Sequence, residues 1–264
     1  PKAQIDDIQV YYEEAGSGEA VVFITGLAGI YRDWRLQAPY FSKHYRTIVL
    51  DNRGVGRTDK PKDGYSIRRF ADDTVGLMDH LKVERAHVVG LSMGGMIAQE
   101  MALSYPSRVD HLTLCVTNCG RNHAVLPEQE VLDVITNPTG KTYEDIVRQS
   151  LPILFTEPYL QEMKDEVETY VQDKLDSPRQ TFHSYNGQLQ AAMEFDSYDL
   201  LPRIAHHTMV LTASGDVLVP PANSKVLADR IPNSRLYIFE EGGHMFNIER
   251  SEEFNQVVLE FLSQ

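Results

Sequence analysis

Short apolar runs alternate with amphipathic stretches along most of the chain. Val21 to Thr25, Tyr45 to Leu50, Ala86 to Leu91, Leu112 to Thr117, Met209 to Ala213 and Leu236 to Phe239 are runs of strand length. Continuous runs of this kind predict strands buried on both faces of a parallel sheet. Ile8 to Glu14 alternates in part and predicts a further strand, closed by Gly16-Ser17-Gly18. Between the runs, apolar residues recur at helical spacing. Ser66 is a candidate N-cap for a helix carrying Ile67, Phe70, Ala71, Val75, Met78 and Leu81. Met96, Ile97, Met101 and Ala102 mark a helix that stops near Pro106. Two more are predicted over 222–230 and 251–262, the last with an apolar face of Phe254, Val257, Val258, Phe261 and Leu262. Strands alternating with helices imply an α/β chain, with a mostly parallel sheet flanked by helices.

The alternation breaks near Asn118. From there to about Arg203, helical segments follow one another, beginning near Glu128, Tyr143, Tyr159 and Pro178. A block of helices between two strands predicts a lid inserted at the carboxyl edge of the sheet, where ligands bind in open α/β folds. The expected division is a core of residues 1–117 and 206–264 and a helical lid over 118–205. Leu132, Ile135, Ile146, Leu151, Ile153, Leu154, Phe155, Leu160, Met163 and Met193 lie in that insertion. Their spacing assigns most of them to packing within it and a minority to a pocket wall. Arg121, where the insertion opens, reads as a solvated arginine sooner than as a clamp for a substrate carboxylate.

The 264 residues suit one large α/β domain with an insertion. A formal net charge of −13 argues against a nucleic-acid or anionic-membrane partner, since phosphates need clustered Lys and Arg. No apolar run approaches a membrane span, and Pro1 to Asp7 contains no secretory apolar region. Cys115 and Cys119 are too few for a disulfide framework and read as free thiols, which suits a reducing cytoplasm. No zinc-peptidase pattern and no glycine-rich phosphate loop occurs, so neither metal nor cofactor is expected.

Gly90-Leu91-Ser92-Met93-Gly94-Gly95 changes the picture most. It sits between a buried strand and the start of a helix, the setting that separates a nucleophile elbow from a chance G-x-S-x-G. Such a turn is strained, its flanking glycines let other backbone approach, and its serine oxygen is pushed outward. A serine hydroxyl needs a base. Of nine histidines, His244 follows the last predicted strand in a loop at the same sheet edge as Ser92. His44, His80, His87, His111, His206 and His207 lie mostly at the opposite edge, and His123 and His183 in the insertion. All eight read as solvated or capping. Asp216 leaves another strand at the Ser92 edge. Alone it is equally a turn aspartate before a helix, but the order Ser92, Asp216, His244 is that of a known triad arrangement. The strand after the elbow ends in Asn118, which carries no charge.

These motifs, with Asp51-Asn52-Arg53-Gly54-Val55-Gly56-Arg57-Thr58, Gly215-Asp216-Val217-Leu218-Val219-Pro220 and Gly242-Gly243-His244, resemble the α/β-hydrolase fold superfamily over essentially the full length. The likeness is to its esterases, enol-lactone hydrolases, cofactor-free haloperoxidases and C–C bond hydrolases. It implies an eight-stranded, mostly parallel sheet and an oxyanion hole from the backbone N–H groups of Leu27 and Met93. It implies a structural role for Asp51 and Arg53. Two departures stand out: Thr25-Gly26 where the family usually has His-Gly, and Thr58 where it usually has Ser. Serine at the elbow argues against dehalogenases and epoxide hydrolases of this fold, which use Asp there. The expected activity is cleavage of small-molecule carboxylic esters of small to medium acyl groups through Ser92, His244 and Asp216. The alternatives are an enol-lactone or C–C bond hydrolase on the same residues, or a ligand-binding receptor with little turnover.

Overall fold

The computed structural model describes residues 1–120 and 122–264. Among the described residues eight strands form one sheet: β1 (Lys2–Ile5), β2 (Ile8–Ala15), β3 (Ala20–Ile24), β4 (Arg46–Leu50), β5 (Ala86–Leu91), β6 (Val109–Cys115), β7 (Thr208–Ala213) and β8 (Ser234–Phe239). Their spatial order is β1-β2-β4-β3-β5-β6-β7-β8. β1 pairs antiparallel with β2, β2 antiparallel with β4, and all other neighbours run parallel. The chain winds one way from β3 to β4 and the other way from β5 to β6. A crevice therefore opens between the carboxyl ends of β3 and β5, the place where such sheets bind ligands.

The helices are α1 (Ala38–Phe41), α2 (Ile67–His80), α3 (Met93–Ser104), α4 (Gln129–Thr136), α5 (Tyr143–Leu154), α6 (Glu157–Glu162), α7 (Lys164–Leu175), α8 (Phe182–Glu194), α9 (Ala222–Arg230), α10 (Phe246–Glu249) and α11 (Ser251–Leu262). Ser66 caps α2 as expected, its hydroxyl accepting from Arg69 N–H at 3.1 Å. The five helices α4 to α8 lie between β6 and β7. None of the described helices is long and apolar enough to cross a membrane.

Because successive strand residues face opposite sides, β3 feeds two cores. Val22 and Ile24 pack with residues of α2, α3 and α9, whereas Val21 and Phe23 pack with Trp34, Phe41 of α1 and Phe254 of α11. Trp34 is fully buried, its ring centroid 5.0 Å from that of Phe23. Truncating a residue so placed costs about 3–5 kcal/mol.

β1, α1, α10 and the break between α6 and α7 escaped the sequence pattern. β1 is a four-residue strand joined to β2 by Asp6-Asp7, with Asp6 at φ 48°. It is too short to show a period. α10 is a single turn after His244.

Candidate active site

The β5–α3 junction holds Ser92 at φ 56° and ψ −119°, a strained conformation for a residue with a side chain. The surroundings over-determine it. Ser92 N–H donates to Cys115 O at 2.8 Å, and Thr117 Oγ1 donates to Ser92 O at 2.7 Å. A Cβ on Gly94 would sit 2.2 Å from Ile24 O, and one on Gly90 would sit 2.2 Å from Gly94 O. Only glycine lets the elbow press so close to β3. Met93 then opens α3, where the N–H groups of Met93 and Gly94 lack intrahelical acceptors while that of Gly95 donates to Ser92 O at 2.8 Å.

His244 lies in the segment between β8 and α10, and Asp216 follows β7. Both are almost completely buried, and His244 Nδ1 is 2.9 Å from Asp216 Oδ2. Asp216 Oδ1 accepts from the backbone N–H groups of Leu218 and Val219, each at 2.9 Å. With one oxygen fixed by the backbone, the other is aimed at the imidazole. An ionised carboxylate only accepts, so Nδ1 carries the hydrogen and Nε2 keeps a lone pair.

The His244 segment is anchored from two sides. Met245 N–H donates to Leu154 O at 2.8 Å, and Glu249 accepts from Thr156 N–H at 2.8 Å and Thr156 Oγ1 at 3.0 Å. Asn247 Nδ2 donates to Asp33 O at 3.0 Å, while Gln37 Nε2 donates to Asn247 O at 2.7 Å.

Ser92, Met93, Leu27 and His244 all line one cavity of about 370 Å³, under α4, α5, α7 and α8. Asp216 stands behind His244. Of the apolar residues expected in the insertion, Ile135, Ile146, Ile153 and Leu154 line this cavity, as do Tyr143, Tyr170 and Leu189. Leu151 and Phe155 are buried in the core beside it. Met163 and Met193, expected to pack inside the insertion, are instead exposed: Met163 at the joint between α6 and α7, and Met193 near the end of α8. Arg121 lies outside the described residues.

The loop after β3 is gripped by residues that the sequence did not single out. Ala28, at φ 55°, donates its N–H to Gln188 Oε1 of α8 at 3.0 Å. Gln188 Nε2 in turn donates to Arg53 O at 2.8 Å. Lys174 of α7 places Nζ 2.8 Å from Asp33 Oδ1 and 3.5 Å from Ala28 O. Nothing local in the sequence signals these partners, because each comes from far along the chain. Thr25, in place of the histidine common in similar proteins, donates to Gly29 O at 3.2 Å, and Asn52 Nδ2 donates to Thr25 O at 3.0 Å.

Asp51 and Arg53 act as struts. Asp51 Oδ1 accepts from Tyr31 N–H at 2.7 Å and Oδ2 from Arg57 N–H at 2.8 Å. Burial nevertheless pushes its carboxyl up to about 6. Thr58 Oγ1 donates to Asp51 O at 2.6 Å and accepts from Tyr11 N–H at 2.8 Å, so a hydroxyl does the tying here whether it is Ser or Thr. Arg53 is fully buried and paired with Asp73 and Asp7 at 2.8 Å and 2.7 Å.

Of three expectations about other side chains, two hold and the one for His87 does not. Cys115 and Cys119 are free and buried, and burial pushes the Cys119 thiol up to about 11, away from reactivity. His123 stacks on Tyr198 with ring centroids 3.8 Å apart. His87, expected to be solvated or capping, is 3 % exposed in the packed amino end of β5.

The elbow, the sheet order and the β7 and β8 loops define an α/β hydrolase, and comparison with known proteins agrees. The family described as alpha/beta hydrolase fold matches residues 19–251, and the chain belongs to it. It is 30% identical to a putative carbamate hydrolase (RutD) of a Caulobacter species, over 97% of this chain and 94% of that one. It superposes on an enol-lactonase from Burkholderia xenovorans with a TM-score of 0.88 and 26% identity, covering 100% of both chains. An esterase from Exiguobacterium antarcticum gives a TM-score of 0.87 and 25% identity, covering 100% of this chain and 99% of that one. The chain is a hydrolase by family.

Proposed function

We propose that this hydrolase cleaves carboxylic esters of small to medium acyl groups, with Ser92 as nucleophile, His244 as base and Asp216 as its orienting acid. One observation carries the reading: a fully buried carboxylate holds the Nδ1 side of His244 at 2.9 Å, in a cavity wall that also presents Ser92. His244 Nε2 takes the Ser92 proton as Oγ attacks the ester carbonyl. The backbone N–H groups of Leu27 and Met93 receive the oxyanion, fixed donors that need no reorganisation as charge develops. Asp216 stabilises the imidazolium. The alkoxide leaves with the proton from His244. Water then gives its proton to His244 and attacks the acyl-enzyme, releasing the acid and restoring Ser92. No metal or cofactor enters these steps.

In this reading residues 118–205 act as a lid that shields the acyl-enzyme, and the substrate is an uncharged small molecule. Two buried free thiols suit the cytoplasm. A second reading, hydrolysis of an enol-lactone, is supported by the full-length likeness to an enol-lactonase. A lactone is a cyclic ester, so the steps are the same and acid and leaving group stay in one product.

Ser92→Ala tests the assignment. It is expected to fold normally and to lose turnover of short p-nitrophenyl esters by on the order of 10⁴-fold or more. An organophosphate is expected to label Ser92 alone. Stoichiometric labelling elsewhere, with Ser92 untouched, overturns the proposal.

A further inference from the structure

A second chemically distinct cluster sits at the opposite edge of the sheet. His87 lies at the amino end of β5, five residues before Ser92, and so roughly 16 Å from it along the strand. Next to it the β5–β6 ladder changes register. Ala86 pairs with Val109, but Val88 pairs with Leu112, so β6 uses one residue more than β5. Asp110 and His111 therefore oppose His87 together. In a regular strand two consecutive side chains face opposite sides; a bulge re-aims one of them. One ring nitrogen each of His87 and His111 and one oxygen of Asp110 lie within 4.8 Å of one another. The His111 Nδ1 to Asp110 Oδ1 distance is 3.5 Å.

Hydrogen bonding accounts for only part of this arrangement: His87 Nδ1 accepts from the His111 backbone N–H at 3.4 Å. His87 Nε2 and His111 Nδ1 are both buried without a hydrogen-bond partner. Buried imidazole nitrogens rarely stay unpaired, and a missing ion is one of the standard causes. The nearest anion to His87 Nε2 is Glu19 Oε2, at 3.9 Å and beyond hydrogen-bond reach. Tyr45 and Phe261 wall the cluster, with ring centroids 5.4 Å from His87 and 5.2 Å from His111. His207 stacks on the His111 ring at 5.6 Å at the exposed rim.

We propose that His87, His111 and Asp110 bind one divalent cation of the zinc class, with water in the fourth position, as a clip between β5 and β6. Two imidazoles and a carboxylate suit zinc better than calcium or magnesium, which take oxygen donors. Zinc–ligand bonds of ~2.0–2.1 Å in a tetrahedron set donors roughly 3.3–3.5 Å apart. The Asp110–His111 edge has that spacing already; completing the site requires the His87 ring to turn, exchanging its contact with the His111 N–H for the cation. One group opposes the ion. Arg85 pairs with Asp110 Oδ1, and its side chain is 57% exposed, free to swing into water when a cation takes the carboxylate.

The test uses full-length protein stripped with a chelator and titrated separately with Zn²⁺ by calorimetry and with Co²⁺ by visible absorption. One equivalent is expected to bind, with a Kd on the order of 10 µM or tighter, and Co²⁺ should show four-coordinate d–d bands. His111→Gln and Asp110→Asn, at partly exposed positions, should each weaken binding at least tenfold. Arg85→Ala should tighten it. Zn²⁺ should raise the Tm of the wild type and not that of His111→Gln. Absence of stoichiometric binding, or equal affinity in the wild type and both ligand variants, overturns the proposal. Neither readout depends on turnover, so the result is independent of the reading of the Ser92 site.

Discussion

Gln188 Oε1 accepts the backbone N–H of Ala28 at 3.0 Å, across 160 residues of sequence. The same amide donates to Arg53 O at 2.8 Å. Ala28 follows Leu27, whose N–H is the proposed oxyanion donor, and Ala28 itself is held at φ 55°. α8 therefore fixes the backbone that sets the direction of that N–H. Gln188→Ala is expected to lower kcat by about tenfold, less than the ~10²–10³ lost when an oxyanion donor is removed outright. KM should change little, since the loop acts in the transition state. Stability should fall by about 1–3 kcal/mol, because Ala28 N–H and Arg53 O lose their partner. Steady-state kinetics beside a denaturant titration separate the two effects. An unchanged kcat with the same stability loss would show that Gln188 is only structural.

Asp216 is fixed by two backbone N–H groups as well as by His244, so replacing it should leave the loop in place. Asp216→Asn keeps the Oδ1 acceptor and turns the other position from acceptor to donor. His244 then loses the partner that keeps hydrogen on Nδ1, and its Nε2 is no longer held as a base. A kcat loss on the order of 10⁴-fold is expected, with little change in Tm. Were Asp216→Asn nearly silent while Glu249→Gln was inactive, the acid would be misassigned.

The strongest parts of the site were legible because their signals are local. A strand, a G-x-S-x-G and a helix start are contiguous, and their contiguity is what creates the strain at Ser92. Asp216 and His244 were reachable because parallel strands place every following loop at one edge. Gln188 and Lys174 were invisible for the opposite reason: their partners, backbone atoms for Gln188 and the Asp33 carboxylate for Lys174, lie far away in sequence and leave no pattern in composition or period. His87 misled because one histidine in an apolar run looks like any strand-start histidine. What buries it is the place of β5 inside the sheet, with the Tyr45 and His111 rings packed on it, a property of tertiary packing. Met193 shows the limit of helical spacing, which gives a face but not the direction in which that face points, and Met163 falls at a helix joint that spacing does not locate.

Arg53 supplies a stability prediction. It is fully buried between Asp73, which is nearly buried, and Asp7, which is half exposed. Asp73→Asn leaves a buried guanidinium with only its outer partner and should cost about 3–5 kcal/mol. The Asp7 response is a matter of pH. The Arg53 guanidinium, with help from Arg69, holds the Asp7 carboxyl well below the usual carboxylate range. A carboxyl depressed in the folded state binds fewer protons there than when unfolded. Its contribution is therefore complete above the unfolded pKa of ~3.9 and is lost as pH falls below that value. Denaturant titrations from pH 6 to pH 3 should show a shallower acid-side loss in Asp7→Asn than in the wild type, and lower stability at pH 6. Parallel curves would mean that Asp7 contributes no linkage.

The cavity decides the last prediction, which concerns the acyl group. At about 370 Å³ it lies near the small end of ligand pockets, which run ~300–1,000 Å³. Ile135, Ile146, Ile153, Leu154 and Leu189 give it apolar walls, so an apolar acyl chain gains by entering until the walls stop it. Phe182 stands at its lining and is 82% exposed, marking the side from which a chain would emerge into water. A net charge of −13 works against anionic substrates, and the Lys174 ammonium in the wall is already engaged by Asp33. kcat/KM should therefore be higher for p-nitrophenyl acetate and butyrate than for the palmitate ester, measured at one pH with every substrate below its micelle limit. Efficiency that climbs all the way to palmitate would require a groove continuing past Phe182. Failure to cleave any chain length, with Ser92 still labelled by an organophosphate, would move the substrate from open-chain esters to the lactone reading.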